Sequence, residues 1–183
     1  MFHDNDLQRL TGESGLFDEH ETPASLRLRN GEAVPTLKQV LDLYWNRMPV
    51  NIEIKMVRNL ERLLDLLALY PEPRPWGEVP AVLISSFNHQ ALGKLRQLGC
   101  RWPLAPISSG IPYQFEAELT ELDPWSWHFD NEYLDFDMLR ELRARGIPSF
   151  VFTVNDSARM RELKALGAAG IFTDFPSKMI QID

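Results

Sequence analysis

The sequence contains 183 residues, with 19 Lys and Arg against 26 Asp and Glu and a formal net charge of −7. Hydrophobic residues make up 44% and charged residues 25%, which is typical of a folded domain and excludes a disordered or low-complexity chain. The acidic balance argues against a nucleic-acid partner, because phosphate backbones attract basic surfaces. The length predicts a single domain spanning residues 1–183.

The chain has one cysteine, Cys100, so it cannot form an intramolecular disulfide or a thiolate metal cluster. It begins without a basic and apolar signal segment, and it contains no apolar run of about 18 residues. These features predict a cytoplasmic protein that does not insert into a membrane.

Short apolar or β-branched runs alternate with stretches of helical period, a pattern that predicts βα units around a parallel sheet. The runs begin about 20–30 residues apart, which is the length of a strand, a helix and two connections. The predicted strands are Val50–Lys55, Ala81–Phe87, Leu104–Ile107, Trp125–Phe129, Ser149–Asn155 and Gly170–Asp174.

Apolar spacing and capping residues predict the helices between these strands. The predicted helices are Lys38–Tyr44, Val57–Tyr70, Leu134–Arg145 and Ser157–Leu166. The polar segment Glu13–Glu32 is interpreted as a surface loop, and Gly110–Glu121 as a loop that would influence specificity.

The run Asn51–Lys55 alternates polar and apolar residues, so Glu53 and Lys55 lie on the strand face opposite Ile52 and Ile54. An exposed edge strand would explain this pattern without any ligand. In an interior barrel strand, the same charged pair would face a lumen, where burial of charge favours a metal or an anionic ligand. Glu53 is then a candidate metal ligand, and both interpretations remain open.

The four histidines differ in their surroundings along the sequence. His3 lies beside carboxylate and amide acceptors and is a candidate general acid or base, although a histidine near a terminus is commonly exposed to solvent. His20 and His89 are expected in solvent. His128 lies between aromatic residues near the end of a predicted strand and is a candidate ligand contact. The chain has no Walker A, GxGxxG, GxSxG or HExxH motif, which removes support for nucleotide chemistry and common hydrolase nucleophiles.

Several short segments together resemble one family, the glycerophosphodiester phosphodiesterases. The matching segments, in the family's order, are FHDNDLQRLTGESG, VPTLKQVLDL, NIEIK, LISSFNHQALGKLRQL, FVFTVND and GIFTDFP. The resemblance implies a (βα)8 TIM barrel and a metal-dependent phosphodiester hydrolase of glycerophospholipid metabolism. Such an enzyme releases an alcohol and glycerol 3-phosphate from a glycerophosphodiester substrate.

The resemblance also implies roles for individual residues. His3 corresponds to one of two catalytic histidines, Glu53 to one of three metal carboxylates, and Lys55 to a lysine near the phosphate. Phe152 stands where the family usually has tryptophan, so it is expected to provide an aromatic wall for the substrate. The implied cofactor is a divalent metal, Mg²⁺ or Ca²⁺, which carboxylate oxygens suit.

The family's His-Arg-Gly and Glu-x-Asp segments, which precede the matching region, have no counterpart here. The chain is therefore expected to be an N-terminally truncated member with an incomplete (βα)8 TIM barrel, lacking roughly the first two strands of the α/β fold. Open sheet edges predict self-association. Because one catalytic histidine and two carboxylates have no counterpart, enzymatic activity stays open. The alternatives are a non-catalytic module that binds a phosphate ligand and an unrelated βα protein.

Overall fold

The computed structural model describes residues 1–17, 19, 25–55, 59–71 and 76–181. The chain divides into two compact units, the first formed by Met1–Pro49 with Leu66–Ala81 and the second by Val50–Asp65 with Val82–Asp183. Within the described residues, no helix is long and apolar enough to cross a bilayer.

Two helices come first along the chain, and strands and helices then alternate. In chain order the elements are α1 (Gln8–Thr11), α2 (Leu37–Tyr44), β1 (Val50–Glu53), α3 (Leu60–Ala68), β2 (Val82–Ser86), α4 (His89–Gln97), β3 (Leu104–Ser108), α5 (Phe115–Leu122), β4 (Trp127–Asp130), α6 (Phe136–Ala144), β5 (Ser149–Phe152), α7 (Ser157–Leu166), β6 (Gly170–Ile171) and a 3₁₀ helix (Pro176–Gln181).

The six strands found among the described residues form one parallel sheet in the second unit, in the order β1 to β6. Each strand pairs with the next one along the chain, which is the strand order of a (βα)8 barrel with two strands fewer. The predicted α/β fold and incomplete barrel are thereby confirmed. Within the described strands, β1 and β6 each have one neighbour, and self-association through these edges stays a prediction.

The last two strands end earlier than predicted. One backbone bond continues beyond them, from the Val154 N–H to the Phe172 carbonyl oxygen at 2.9 Å, and a polar side chain makes the next bonds. β5 ends at Phe152 and β6 at Ile171, where extension to Asn155 and Asp174 was expected. The Asn155 amide oxygen accepts hydrogen bonds from the Thr173 hydroxyl and the Asp174 backbone N–H, both at 3.0 Å. Side-chain bonds of this kind compete with a ladder and terminate a strand.

A helix occupies most of the segment interpreted as the loop Gly110–Glu121, and that interpretation is wrong. α5 has an apolar side on which Phe115 and Leu122 are buried and Leu119 packs beside the core. The spacing of three and four residues between these side chains is the helical period. Glu116 and Glu118 lie in its first turn, where negative charge favours a helix.

The other predicted helices agree closely with the structure. α7 matches Ser157–Leu166 at both ends, with the Asp156 side chain accepting a hydrogen bond from the Arg159 backbone. α2 begins one residue before the predicted start, at Leu37, with a capping box in which Thr36 and Gln39 bond reciprocally. The predicted helix Val57–Tyr70 is present as α3 from Leu60, and residues 57 and 58 lie outside the described part of the chain.

The core of the second unit fixes the sheet beneath its helices. Trp127 and Phe129 of β4 pack with Phe115 of α5 and with buried residues of α6. Trp127 itself is fully buried. The first unit has its own small core, formed by the buried side chains of Leu7, Leu26 and Val34.

Candidate active site

Three predicted site residues lie on one face of the sheet. Glu53 pairs with Ser85 and Ser85 with Ala105, while His128 pairs with both Ile107 and Phe150. Two residues further along each strand, Asp130 pairs with Phe152. Because alternate residues of a strand point to the same side, these registers place Glu53, His128 and Phe152 on one face.

Glu53 and Lys55 lie at the carboxyl end of β1. The Lys55 Nζ is 3.6 Å from the Glu53 Oε1, and the side chains are 39% and 31% exposed. This separation is longer than a close charge-assisted hydrogen bond, so each group keeps hydrogen-bonding capacity for solvent or a ligand. The ammonium is therefore available to an anion at the sheet edge where parallel α/β folds bind ligands.

The described residues do not fit a divalent-cation site by themselves. Within them, no three His, Cys, Asp or Glu side chains lie close enough together to hold a metal ion. Glu53 instead faces the ammonium of Lys55. Mg²⁺ and Ca²⁺ take six or more oxygen ligands. A single carboxylate beside the Lys55 ammonium is therefore a poor site for either metal, and these residues assign it no role in the reaction.

Phe152, the last residue of β5, lies in a row of aromatic rings. Its ring meets Phe87 edge-on at a centroid distance of 5.6 Å and lies 6.5 Å from Phe172. Phe172 in turn lies 5.0 Å from the ring of His128. The row runs from the exposed Phe87 to the buried His128 and forms an aromatic wall at the carboxyl edge of the sheet.

His128 lies inside β4 rather than at the strand end where it was expected, because the strand starts at Trp127 and continues to Asp130. It is only 1% exposed, and its Nε2 lies 3.1 Å from the Ser126 hydroxyl. Its Nδ1 is buried without a hydrogen-bond partner in the described residues. Burial lowers the pKa of His128 to about 4, so the ring is neutral near pH 7. A role in substrate contact stays a prediction.

The buried His128 should make stability depend on pH. In the unfolded chain the pKa of His128 is about 6.5, so the unfolded state binds a proton below that pH. The folded state does not bind this proton until the pH reaches about 4. We expect the free energy of unfolding to fall by about 2 kcal/mol between pH 7 and pH 5 from this residue. Denaturant unfolding across this range measures the loss, and His128→Gln should flatten the profile. His3→Gln, at an exposed histidine, is the matched control, and equal slopes in wild type and His128→Gln would contradict the assignment.

In the first unit, His3 belongs to a chain of three polar side chains. Its Nδ1 lies 2.6 Å from Asp4 Oδ1, and Arg9 donates to both Asp4 oxygens at 2.5 and 2.7 Å. The Arg9 hydrogen bond, followed by that of His3, holds the pKa of Asp4 well below its usual range. A permanently charged Asp4 fixes the imidazole with Nδ1 protonated, the orientation that leaves Nε2 for proton transfer.

Sequence reasoning did not assign Asp4 and Arg9 to the site. The signal was present in the adjacent His-Asp pair, since a carboxylate beside a histidine is the usual device for orienting an imidazole. Arg9 lies five residues after Asp4, within α1. The sequence alone does not show that the two side chains meet, because their contact depends on the path of the backbone between them.

His89 is partly buried, so the expectation of a solvent-exposed ring is wrong. It is the first residue of α4, and its Nδ1 lies 2.6 Å from Glu118 Oε2 while its Nε2 lies 3.0 Å from the Ile107 carbonyl oxygen. The ring therefore joins α4, α5 and β3. His20, the other histidine expected in solvent, lies outside the described residues.

Comparison with known proteins gives a consistent family. The model of the glycerophosphoryl diester phosphodiesterase family matches residues 1–178. Glycerophosphodiester phosphodiesterases from Bacillus altitudinis and Bacillus subtilis are each 25% identical to this chain. The alignments cover 100% and 96% of this chain, and 79% and 69% of the respective relatives.

Solved structures give the same result for the fold. A phosphodiesterase from Oleispira antarctica, in complex with the product sn-glycerol-3-phosphate, matches with a TM-score of 0.83 and 26% identity, over 99% of this chain and 77% of the other. A glycerophosphodiester phosphodiesterase from Thermotoga maritima matches in fold with a TM-score of 0.75 at 22% identity, over 100% of this chain and 78% of the other. With 178 of its 183 residues matched by the family model, this chain belongs to the glycerophosphoryl diester phosphodiesterase family.

Proposed function

We propose that the protein hydrolyses glycerophosphodiesters to an alcohol and glycerol 3-phosphate. The observation that carries this proposal is the likeness to the Oleispira antarctica phosphodiesterase solved with sn-glycerol-3-phosphate, at a TM-score of 0.83. The family match over residues 1–178 supports treating residues 1–183 as one phosphodiesterase domain. A cytoplasmic location in glycerophospholipid metabolism is part of the proposal, and the buried, unpaired thiol of Cys100 suits a reducing compartment.

Lys55 and Phe152 are the proposed substrate contacts of the second unit. The ammonium of Lys55 binds a phosphate oxygen, since its partner Glu53 lies at 3.6 Å and leaves its donors accessible. Phe152 offers the edge of the aromatic wall to the carbon skeleton of the substrate. His128 lies deeper on the same face, where its Nδ1 can form a hydrogen bond with a polar group of the substrate.

His3 is the proposed proton donor and acceptor. Its imidazole is 75% exposed and is held by Asp4, which Arg9 keeps ionised. An imidazole can both donate and accept a proton, which suits protonation of a leaving alcohol or removal of a proton from water. This role depends on the ring orientation that Asp4 imposes.

Substitution of Glu53, the carboxylate that we propose takes part in hydrolysis, tests the proposed activity. We expect the purified chain to release glycerol 3-phosphate from glycerophosphoethanolamine in the presence of Mg²⁺ or Ca²⁺, and Glu53→Gln to lower turnover about 100-fold or more. Gln preserves the size of the side chain and removes its charge. Glu61→Gln, at an exposed carboxylate in the first turn of α3, is the matched control. Equal turnover in wild type and Glu53→Gln would contradict the assignment.

A second candidate function is binding of a phosphate ligand without hydrolysis. It is favoured by the poor fit of the described residues to a divalent cation, because Glu53 faces Lys55 and no larger group of metal ligands surrounds it in the described part of the chain. Calorimetric binding of sn-glycerol 3-phosphate by a chain that shows no turnover would support this function over hydrolysis.

A further inference from the structure

Exposed apolar side chains in the second unit gather at one edge of the sheet. Most of the large apolar side chains exposed there follow the carboxyl end of a strand. They are Phe87 after β2, Ile111 and Tyr113 after β3, Tyr133 and Phe136 after β4, and Phe175 after β6. Because the strands are parallel, these loops share one edge, and we call these six side chains the βα-loop surface.

An exposed apolar set of this kind is more than ordinary surface. Single exposed apolar residues are common, but several large apolar side chains exposed on neighbouring loops favour a protein or lipid interface. Adjacent strands lie about 4.8 Å apart, so loops that follow β2, β3 and β4 are neighbours. Tyr113 is fully exposed and Tyr133 is 62% exposed, so neither ring packs into the core.

The charges near the βα-loop surface restrict its partner. Asp130, Glu132 and Asp174 lie in the same strand ends and loops, whereas the loop between β3 and α5 has no charged residue. Two cations lie against aromatic rings of the surface, Arg159 over Phe136 and Lys178 over Phe175. Carboxylates and cations therefore both lie at this edge, and together with the aromatic rings they favour a partner that presents apolar area and charges of both signs.

We infer that the βα-loop surface docks on a zwitterionic phospholipid surface, without spanning it. Tyr and Phe suit the boundary between lipid headgroups and acyl chains, because their rings are apolar and the Tyr hydroxyl stays hydrated. The ammonium groups of choline headgroups complement the carboxylates of Glu132 and Asp174. The inference goes beyond the proposed hydrolysis, since docking needs no turnover.

Sedimentation with phosphatidylcholine vesicles tests the inference on the full chain. We expect wild-type protein to partition onto these vesicles and Tyr113→Ser/Tyr133→Ser to bind about tenfold more weakly, because two exposed rings lose the lipid contact. Leu98→Ser is the matched control, since Leu98 is also exposed but follows α4 at the opposite edge of the sheet. Unchanged thermal unfolding of the double variant confirms that its fold is intact.

Three results would overturn the inference. One is that wild-type protein does not bind phosphatidylcholine vesicles, and another is that it binds phosphatidylglycerol vesicles as well or better. The third is self-association in sedimentation velocity that Tyr113→Ser/Tyr133→Ser abolishes while vesicle binding is unchanged, which assigns the surface to a second copy. Hydrolysis of water-soluble glycerophosphoethanolamine, measured in the same samples, reports the proposed activity separately. A loss of vesicle binding can therefore be distinguished from a loss of hydrolysis.

Discussion

Trp127→Ala is expected to lower the free energy of unfolding by about 3–5 kcal/mol, the largest loss of stability for a single substitution in the second unit. Trp127 is fully buried in β4, with its ring 4.9 Å from that of Phe115 and 6.2 Å from that of Phe129. Its indole N–H donates to the Ser108 hydroxyl at 2.9 Å. Truncation therefore leaves a cavity between the sheet, α5 and α6 and an unpaired hydroxyl.

Two further substitutions separate packing from hydrogen bonding at this position. Trp127→Phe keeps part of the ring and loses the donor, so we expect an intermediate loss, whereas Ser108→Ala should cost only about 1 kcal/mol. Urea unfolding followed by far-UV circular dichroism measures each value. Trp76→Ala, at a partly exposed ring of the first unit, should change stability little. A loss below 1 kcal/mol for Trp127→Ala would contradict the central place of this ring in the core.

The strands and most helices could be predicted because their signals are local. β2 and β3 are buried on both faces, and the runs Ala81–Phe87 and Leu104–Ile107 are continuously apolar or small, as central parallel strands are. α7 carries its cap in Asp156 and its terminator in Gly167, which adopts a left-handed conformation with a φ of 93°. In both cases the residue that determines the structure lies within or next to the element.

α5 was missed because no capping residue marks its start, although Glu116 and Glu118 in its first turn favour a helix. Gln114 precedes it without a side-chain capping bond, and the preceding Gly110 and Pro112 favour a loop. The helix is instead stabilised by packing of Phe115 against Trp127, a contact between residues that are distant in sequence. Most of the stability of such a helix comes from tertiary packing, which the sequence around its start does not show.

The candidate site shows the same division between local and distant information. Alternation in β1 correctly placed Glu53 opposite Ile52, and strand registers then put Glu53 on the face that also carries His128 and Phe152. The depth of His128 could not be foreseen, because its burial depends on the rings of Phe150 and Phe172 from neighbouring strands. Likewise, His89 is held by Glu118 of the unpredicted α5.

Lys55→Met is expected to lower kcat/KM for glycerophosphoethanolamine about 30- to 100-fold, which corresponds to about 2–3 kcal/mol for one charge-assisted hydrogen bond to phosphate. Methionine keeps most of the aliphatic stem and removes only the ammonium. Glu53 alone forms an ion pair with Lys55 within the described residues, at 3.6 Å, so the loss reports substrate binding more than the fold. Lys94→Met, at an exposed position in the last turn of α4, is the matched control.

The same substitution also distinguishes hydrolysis from binding alone. If the chain binds sn-glycerol 3-phosphate without turnover, Lys55→Met should weaken that affinity by a similar factor, measured by calorimetry, while Lys94→Met leaves it unchanged. Because Lys55 is 39% exposed, raising the ionic strength should reduce the wild-type affinity more than that of Lys55→Met. Equal affinity and equal kcat/KM in wild type and Lys55→Met would place the phosphate elsewhere and remove Lys55 from both functions.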